Sequence, residues 1–218
     1  VGPGNVLADL LGSGVVPVTA LTEVFRQQQG SEIVRVAHEV LAGRVPAVGG
    51  GGDFYFVEAE EPHRARATLR ELIGARIPRR FGLDARRDVQ VLCPMYRGEV
   101  GADALNRDLQ DLLNPGEIEI ERTGKRFRIG DKVMQIRNDY DREVWNGDVC
   151  VVTYLDTAGA KAFVRFPEAE HSYGFEELHD LIPAYAISVH RAQGSEYPAV
   201  VVPIVPEHYL MLRGNLLY

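Results

Sequence analysis

The segment Tyr185-Ala186-Ile187-Ser188-Val189-His190-Arg191-Ala192-Gln193-Gly194-Ser195-Glu196-Tyr197 runs from an apolar strand into a polar, glycine-containing turn. The chain then returns to the apolar run Ala199 to Val205. This layout sets His190, Arg191, Gln193, Ser195 and Glu196 at strand ends, where open α/β sheets keep their ligand sites. Gly194 suits a position where a side chain would block the approach of a ligand to the backbone.

Working outward, three amphipathic helices are expected. Ile33, Val36, Ala37, Val40 and Leu41 recur at helical spacing behind Ser31, a candidate N-cap. Ala65, Leu69, Leu72 and Ile73 repeat the pattern after Pro62, with Pro78 expected to close the helix. Leu105, Leu109, Leu112 and Leu113 form a third stripe, stopped by Asn114-Pro115-Gly116. Apolar runs of strand length lie between them, Phe54 to Val57 and Val89 to Cys93. Helices alternating with buried strands imply a parallel sheet with helices on its faces, an α/β class.

After Gly124 the texture changes. From Phe127 to about Ile182 there are short strand candidates, Val133 to Ile136, Val149 to Leu155 and Ala162 to Phe166, with turn chemistry at Asn146-Gly147 and Ala158-Gly159. A small β-barrel set into the α/β domain is the expectation. Gly49 to Gly52 reads as a connector, since no GK[ST] follows to make a phosphate loop.

The chain has 218 residues, 45% hydrophobic and 25% charged, with net charge −7, values of an ordinary globular protein. The negative balance argues against a bulk polyanion magnet but leaves room for a local DNA path. Arg76, Arg79, Arg80, Arg86 and Arg87 make one basic cluster, and Arg122, Lys125, Arg126 and Arg128 another; each reads as a contact path or as solvated loop charge. No apolar stretch approaches the roughly 18 residues of a membrane helix, and the N-terminus does not read as a signal peptide. Cys93 and Cys150 fit neither a disulfide framework nor a CxxC site, and Cys93 reads as a buried thiol. A cytoplasmic location is the default, and no histidine has zinc-like spacing with cysteine, so no metal site is expected.

The segment around His190 resembles motif V of superfamily 1 helicases in the form used by the RecD-like family, the exodeoxyribonuclease V alpha-subunit type. Leu21-Thr22-Glu23-Val24-Phe25-Arg26-Gln27 is similar to that family's motif whose arginine reaches the γ-phosphate of ATP. Val1 to Leu7, with Pro3, resembles the tail of motif III, and Gly214 to Tyr218 the opening of motif VI. Val91 to Gly98 resembles the strand after which these enzymes touch single-stranded DNA, and Asp131 to Asn138 with Glu143 to Asp148 resembles their SH3-like barrel.

The resemblance implies the C-terminal motor half of an ATP-dependent DNA helicase moving 5′-to-3′ and acting in repair or recombination. Its fold would be a RecA-like parallel-sheet motor domain of the P-loop NTPase type with an inserted SH3-like β-barrel. Residues 1–20 would end the first motor domain, 21–123 with 183–218 would form the second, and 124–182 the barrel. Arg26 would be catalytic, stabilising charge during phosphoryl transfer, and would bind nucleotide with Gln27, Gly194 and Glu196. Pro3, Tyr96, Arg97, Asn138, Arg142, His190, Arg191 and Gln193 would meet nucleic acid. Tyr96 would stack on a base or pack over the following helix; Asn138, Tyr140, Arg142 and Trp145 would make a polar–aromatic face, unless Trp145 is barrel core. ATP and Mg²⁺ would be needed, held largely by another motor domain. Single-stranded DNA, fork DNA and other repair proteins would be the partners of a monomeric motor. With no GxxxxGK[ST] loop, this stretch alone is expected not to hydrolyse ATP. The alternative is a non-catalytic nucleic-acid- or protein-binding module on a helicase-like scaffold.

Overall fold

The computed structural model describes residues 5–19, 30–44, 46, 52–59, 61–117 and 119–208. The chain divides into two compact units, Val1–Phe56 and Val57–Leu217. In the first, α1 (Val6–Ser13) ends at Gly14, whose φ of 67° is left-handed. Helix α2 (Glu32–Leu41) is capped twice. The Ser31 hydroxyl accepts from the Val34 amide, and the Asp53 carboxylate accepts from the Glu32 and Ile33 amides and from the Ser31 hydroxyl. These are amides that a helix start leaves without partners. Residues 54–57, expected as a strand, form none: only Phe54 has a bridge-type pairing, and Phe56 is exposed.

The second unit opens with α3 (Pro62–Glu71), which passes through a π-helical turn (Leu72–Arg76) into α4 (Ile77–Phe81) and stops at Gly82 with φ 69°. Pro78 therefore does not close the helix. The Ile77 amide reaches back to the Leu72 carbonyl, five residues away, and this widened turn accommodates a residue that has no N–H to give. Gly74 lies in the same turn, with Leu112 packed where a side chain would otherwise sit.

Strand β1 (Val89–Cys93) is followed by α5 (Ala102–Leu113), which ends at Asn114. The chain then makes a hairpin, β2 (Glu119–Arg122) and β3 (Lys125–Arg128), whose two-residue turn Thr123-Gly124 has φ of 50° and 73°. Next come β4 (Lys132–Gln135), β5 (Val149–Asp156), β6 (Lys161–Arg165), β7 (Glu170–Gly174), a 3₁₀ turn (Glu177–Asp180) and β8 (Leu181–Pro183). These five strands pair antiparallel in the order β7-β6-β5-β4-β8, and among the described residues the pairing does not close on itself. The hairpin contributes Ile120 and Phe127 to the same core as Val133, Cys150, Val164, Tyr173 and Leu181. Thus the second basic cluster lies on a hairpin rather than a loop. Arg128 is buried against Asp111 and Glu119, and Arg126 pairs with the same two acids.

From β8 the chain passes through Ala184 and Tyr185 directly into β9 (Ala186–Ser188), then a 3₁₀ turn (Val189–Ala192) and β10 (Ala199–Val201). Strand β1 lies between β9 and β10, parallel to both, with Val91 opposite Ala186 and Cys93 opposite Ser188. Leu69, Ile73, Val91, Cys93, Leu105, Leu109 and Tyr185 pack as a second core. Burial pushes the Cys93 thiol up to about 12. The antiparallel sheet therefore interrupts the chain between α5 and β9.

One carboxylate joins the two cores. Asp131, fully buried, accepts from Gln110 Nε2 (2.6 Å), Asn114 Nδ2 (2.7 Å), the Arg128 amide (2.6 Å) and Tyr185 Oη (2.9 Å). Asn106, on the same helix as Gln110, donates to the Ala186 carbonyl and accepts from its amide. Helix α5 thereby fixes β9 directly and, through Asp131, the sheet that precedes it. Among the described residues no helix is long and apolar enough to cross a membrane.

Candidate nucleic-acid interface

Because β1 and β9 are parallel neighbours in register, the segments leaving their carboxyl ends emerge side by side. After β1 the loop 94–101 folds back on the start of α5. The Ala102 amide donates to the Met95 carbonyl, the Asp103 amide to that of Tyr96 and the Gly101 amide to that of Gly98. Two glycines permit this path. Gly98 has φ of 100°, and a side chain at Gly101 would run into the carbonyls of Tyr96 and Arg97.

After β9 the 3₁₀ turn carries His190 and Arg191, and Gly194, with φ of 87°, turns the chain back toward β10 with open space beside it. The two segments touch. Tyr96 Oη lies 3.0 Å from Ser188 Oγ, and the Arg191 guanidinium sits 5.7 Å from the Tyr96 ring centroid. Arg191 has no hydrogen-bond or ion-pair partner among the described residues. Lys125, on β3, donates to the Leu181 carbonyl at 3.3 Å. Burial, then the like charge of Arg191, lowers its pKa, with Asp103 and Asp180 acting the other way. Arg97, His190, Gln193, Gly194 and Glu196 are all exposed at this edge.

The structure thus gathers Tyr96, Arg97, His190, Arg191 and Gln193 at one strand edge. Tyr96 packs under Arg191, a placement that neither sequence expectation contained. Ser188 was not singled out by its sequence context, and Lys125 was read only as one member of a basic cluster. The register of two parallel strands was the missing signal for Ser188, and the Thr123-Gly124 turn marks the hairpin that sets Lys125 here.

Asn138, Tyr140, Arg142 and Trp145 form a second group, on the segment between β4 and β5. Trp145 is not core: it is 46% exposed and meets the 73% exposed Tyr140 edge to face at 5.5 Å. Arg142 turns inward instead. Its guanidinium binds Asp139 and Glu177 at 2.6 and 2.7 Å, donates to the Ser172 carbonyl and lies over the Tyr173 ring. The Asn138 carboxamide oxygen accepts from the Asn146 amide, so it holds the turn that presents Trp145. Arg142 and Asn138 shape this face, and the aromatic pair is what it exposes. Pro3, Arg26 and Gln27 lie outside the described residues.

Residues 105–166 match the family profile of the ATP-dependent RecD-like DNA helicase SH3 domain, and residues 183–218 that of the UvrD-like helicase C-terminal domain. The chain is 38% identical over 205 residues to the ATP-dependent RecD2 DNA helicase of Deinococcus radiodurans, covering 93% of this chain and 27% of that protein. It is 28% identical over 230 residues to the RecBCD enzyme subunit RecD of Mycolicibacterium smegmatis, covering 99% of this chain and 40% of that one. It therefore spans well under half the length of these relatives. Among solved structures, a Bacteroides Pif1 helicase in complex with ADP-AlF3 and single-stranded DNA superposes with a TM-score of 0.54 at 15% identity, over 91% of this chain and 49% of that one. At that identity the likeness is one of fold, the RecA-like fold of superfamily 1 helicases. With two profiles matched in order and the relatives aligned along nearly its whole length, the chain belongs, over the stretch it spans, to the RecD-like family of superfamily 1 DNA helicases.

Proposed function

We propose that this stretch is the C-terminal motor part of an ATP-dependent helicase that translocates 5′-to-3′ on single-stranded DNA and unwinds duplex during repair or recombination. The observation that carries the reading is the edge formed by β1 and β9. There an arginine without a carboxylate partner among the described residues lies beside exposed Arg97 and His190, ready for a backbone phosphate. Residues 21–123 with 183–218 form the motor domain, 124–182 an SH3-like barrel, and 1–20 the end of a preceding motor domain. Arg26 reaches the γ-phosphate of ATP and Gln27 steadies it, while Gly194 and Glu196 approach the nucleotide. Tyr140 and Trp145 offer a sequence-tolerant stacking surface.

Among the described residues no group of three His, Cys, Asp or Glu side chains is placed to hold a metal ion. The magnesium that accompanies ATP is held, with the nucleotide's phosphates, largely by another motor domain. Working as a monomer, the motor alternately grips and releases the strand as ATP closes and reopens the cleft between its domains.

Unwinding by the full-length protein of a duplex with a single 5′ tail, compared with one bearing a 3′ tail, tests this. ATP-dependent unwinding of the 5′-tailed substrate alone is expected. Binding of both with no ATP-dependent strand separation would favour a non-catalytic binding module.

A further inference from the structure

Tyr96 is exposed, aromatic and at a strand end, features that suit a stacking platform for a base. Its surroundings describe something else. The residue is held at its backbone, where its carbonyl accepts from the Asp103 amide at 3.0 Å, and at the tip of its ring, where its hydroxyl meets Ser188 Oγ at 3.0 Å. Ser188 is itself buried on β9, opposite Cys93. Ser188 ends β9 and caps the 3₁₀ turn that carries Arg191, and the one tyrosine touches both.

An exposed arginine ordinarily samples many rotamers, and ordering it at the moment of binding weakens the contact. Here the guanidinium already lies over a ring, where the π-electrons attract it, and among the described residues no carboxylate pairs with it. The nearby Lys125 ammonium repels it, which leaves an anion as the fitting partner.

We infer that Tyr96 is a positioning residue: it holds Arg191 at the edge of the sheet so that its guanidinium meets a DNA phosphate, and it does not itself stack on a base. This rests on the proposed DNA-gripping role of the β1–β9 edge and assigns the two side chains different parts in it.

The test uses the full-length protein, a thymidylate oligonucleotide and the same oligonucleotide made abasic throughout, with affinity measured across a salt series. Arg191→Ala is expected to weaken binding about tenfold and to lower the slope of log affinity against log salt by ~0.7, one phosphate contact on a single strand. Tyr96→Ala should reproduce that slope change, weaken both oligonucleotides equally, and add little in the double variant. Tyr96→Phe, which keeps the ring, should recover most of the slope. A Tyr96→Ala loss confined to the base-bearing strand, with unchanged slope and additive to Arg191→Ala, would overturn the inference and make Tyr96 a stacking residue. If Arg191→Ala changes neither affinity nor slope, the phosphate-gripping reading of this edge fails as well, and the two failures are thereby told apart.

Discussion

Asp131 accepts four hydrogen bonds without any solvent exposure, and three of its donors are side chains from outside its own turn. An amide in its place turns one acceptor into a donor facing donors already committed. Asp131→Asn is expected to cost about 2–4 kcal/mol, read as a lower urea midpoint with unchanged denaturant slope; an unchanged midpoint would show that the carboxylate is not needed there. Lys132, the next residue, is also a buried charge. Its ammonium donates to the Val89 carbonyl and lies over the Tyr197 ring, and burial lowers its pKa from 10.5 to about 8. Between these values the unfolded chain holds the proton and the folded one does not, so this residue's contribution to stability rises as pH climbs from 8 to 10.5. Taken whole, the shift amounts to about 3 kcal/mol. Cys93 works in the opposite sense: burial raises its pKa from 9.0 to about 12, so stability falls as pH rises above 9. The comparison is therefore between wild type and Lys132→Met, whose stabilities should converge across that window. A constant gap would contradict the lysine's role.

At the scale of elements, the loop 94–101 depends on Gly101, which has no room for a methyl group against the carbonyls of Tyr96 and Arg97. Gly101→Ala should cost about 1–3 kcal/mol through overpacking and should also weaken single-stranded DNA binding, because the carbonyls it displaces belong to Tyr96 and Arg97, proposed to position the grip and to share in it. Binding retained at full strength would detach the loop from the interface. Local pattern was enough for α2, α5 and β5, whose apolar residues recur at helix or strand spacing, and for β1, a short continuous buried run. It failed where tertiary context decides. Pro78 reads as a helix stop, yet a π turn carries the helix past it. Strand β2 buries only Ile120 among charged residues, so its alternation is faint, although Thr123-Gly124 marked the hairpin. The basic look of Arg126 and Arg128 misled for a related reason, since their acidic partners Asp111 and Glu119 lie on separate elements. The strand-end placement of His190 and Arg191 was legible in one segment. The contact of Arg191 with Tyr96 was not, because it joins residues nearly a hundred positions apart through the pairing of β1 and β9.

For the whole molecule, a net charge of −7 coexists with a local cationic edge, which the proposed reading requires of a protein that must grip a strand and also release it. The all-β insertion enters after α5 and leaves into β9, so any load on it bears on the strand that ends at Ser188 and leads into the turn carrying Arg191. This 218-residue stretch, without a phosphate loop, is expected to show no ATP turnover by itself, and robust turnover would refute that division of labour. The most direct measurement is DNA-stimulated ATP turnover by the full-length protein beside its Arg26→Ala variant. Stimulated turnover that falls about 10³-fold or more in the variant, with DNA binding intact, is the expected result. Turnover that ignores single-stranded DNA, or that survives the substitution, would contradict the assignment of this chain to a motor.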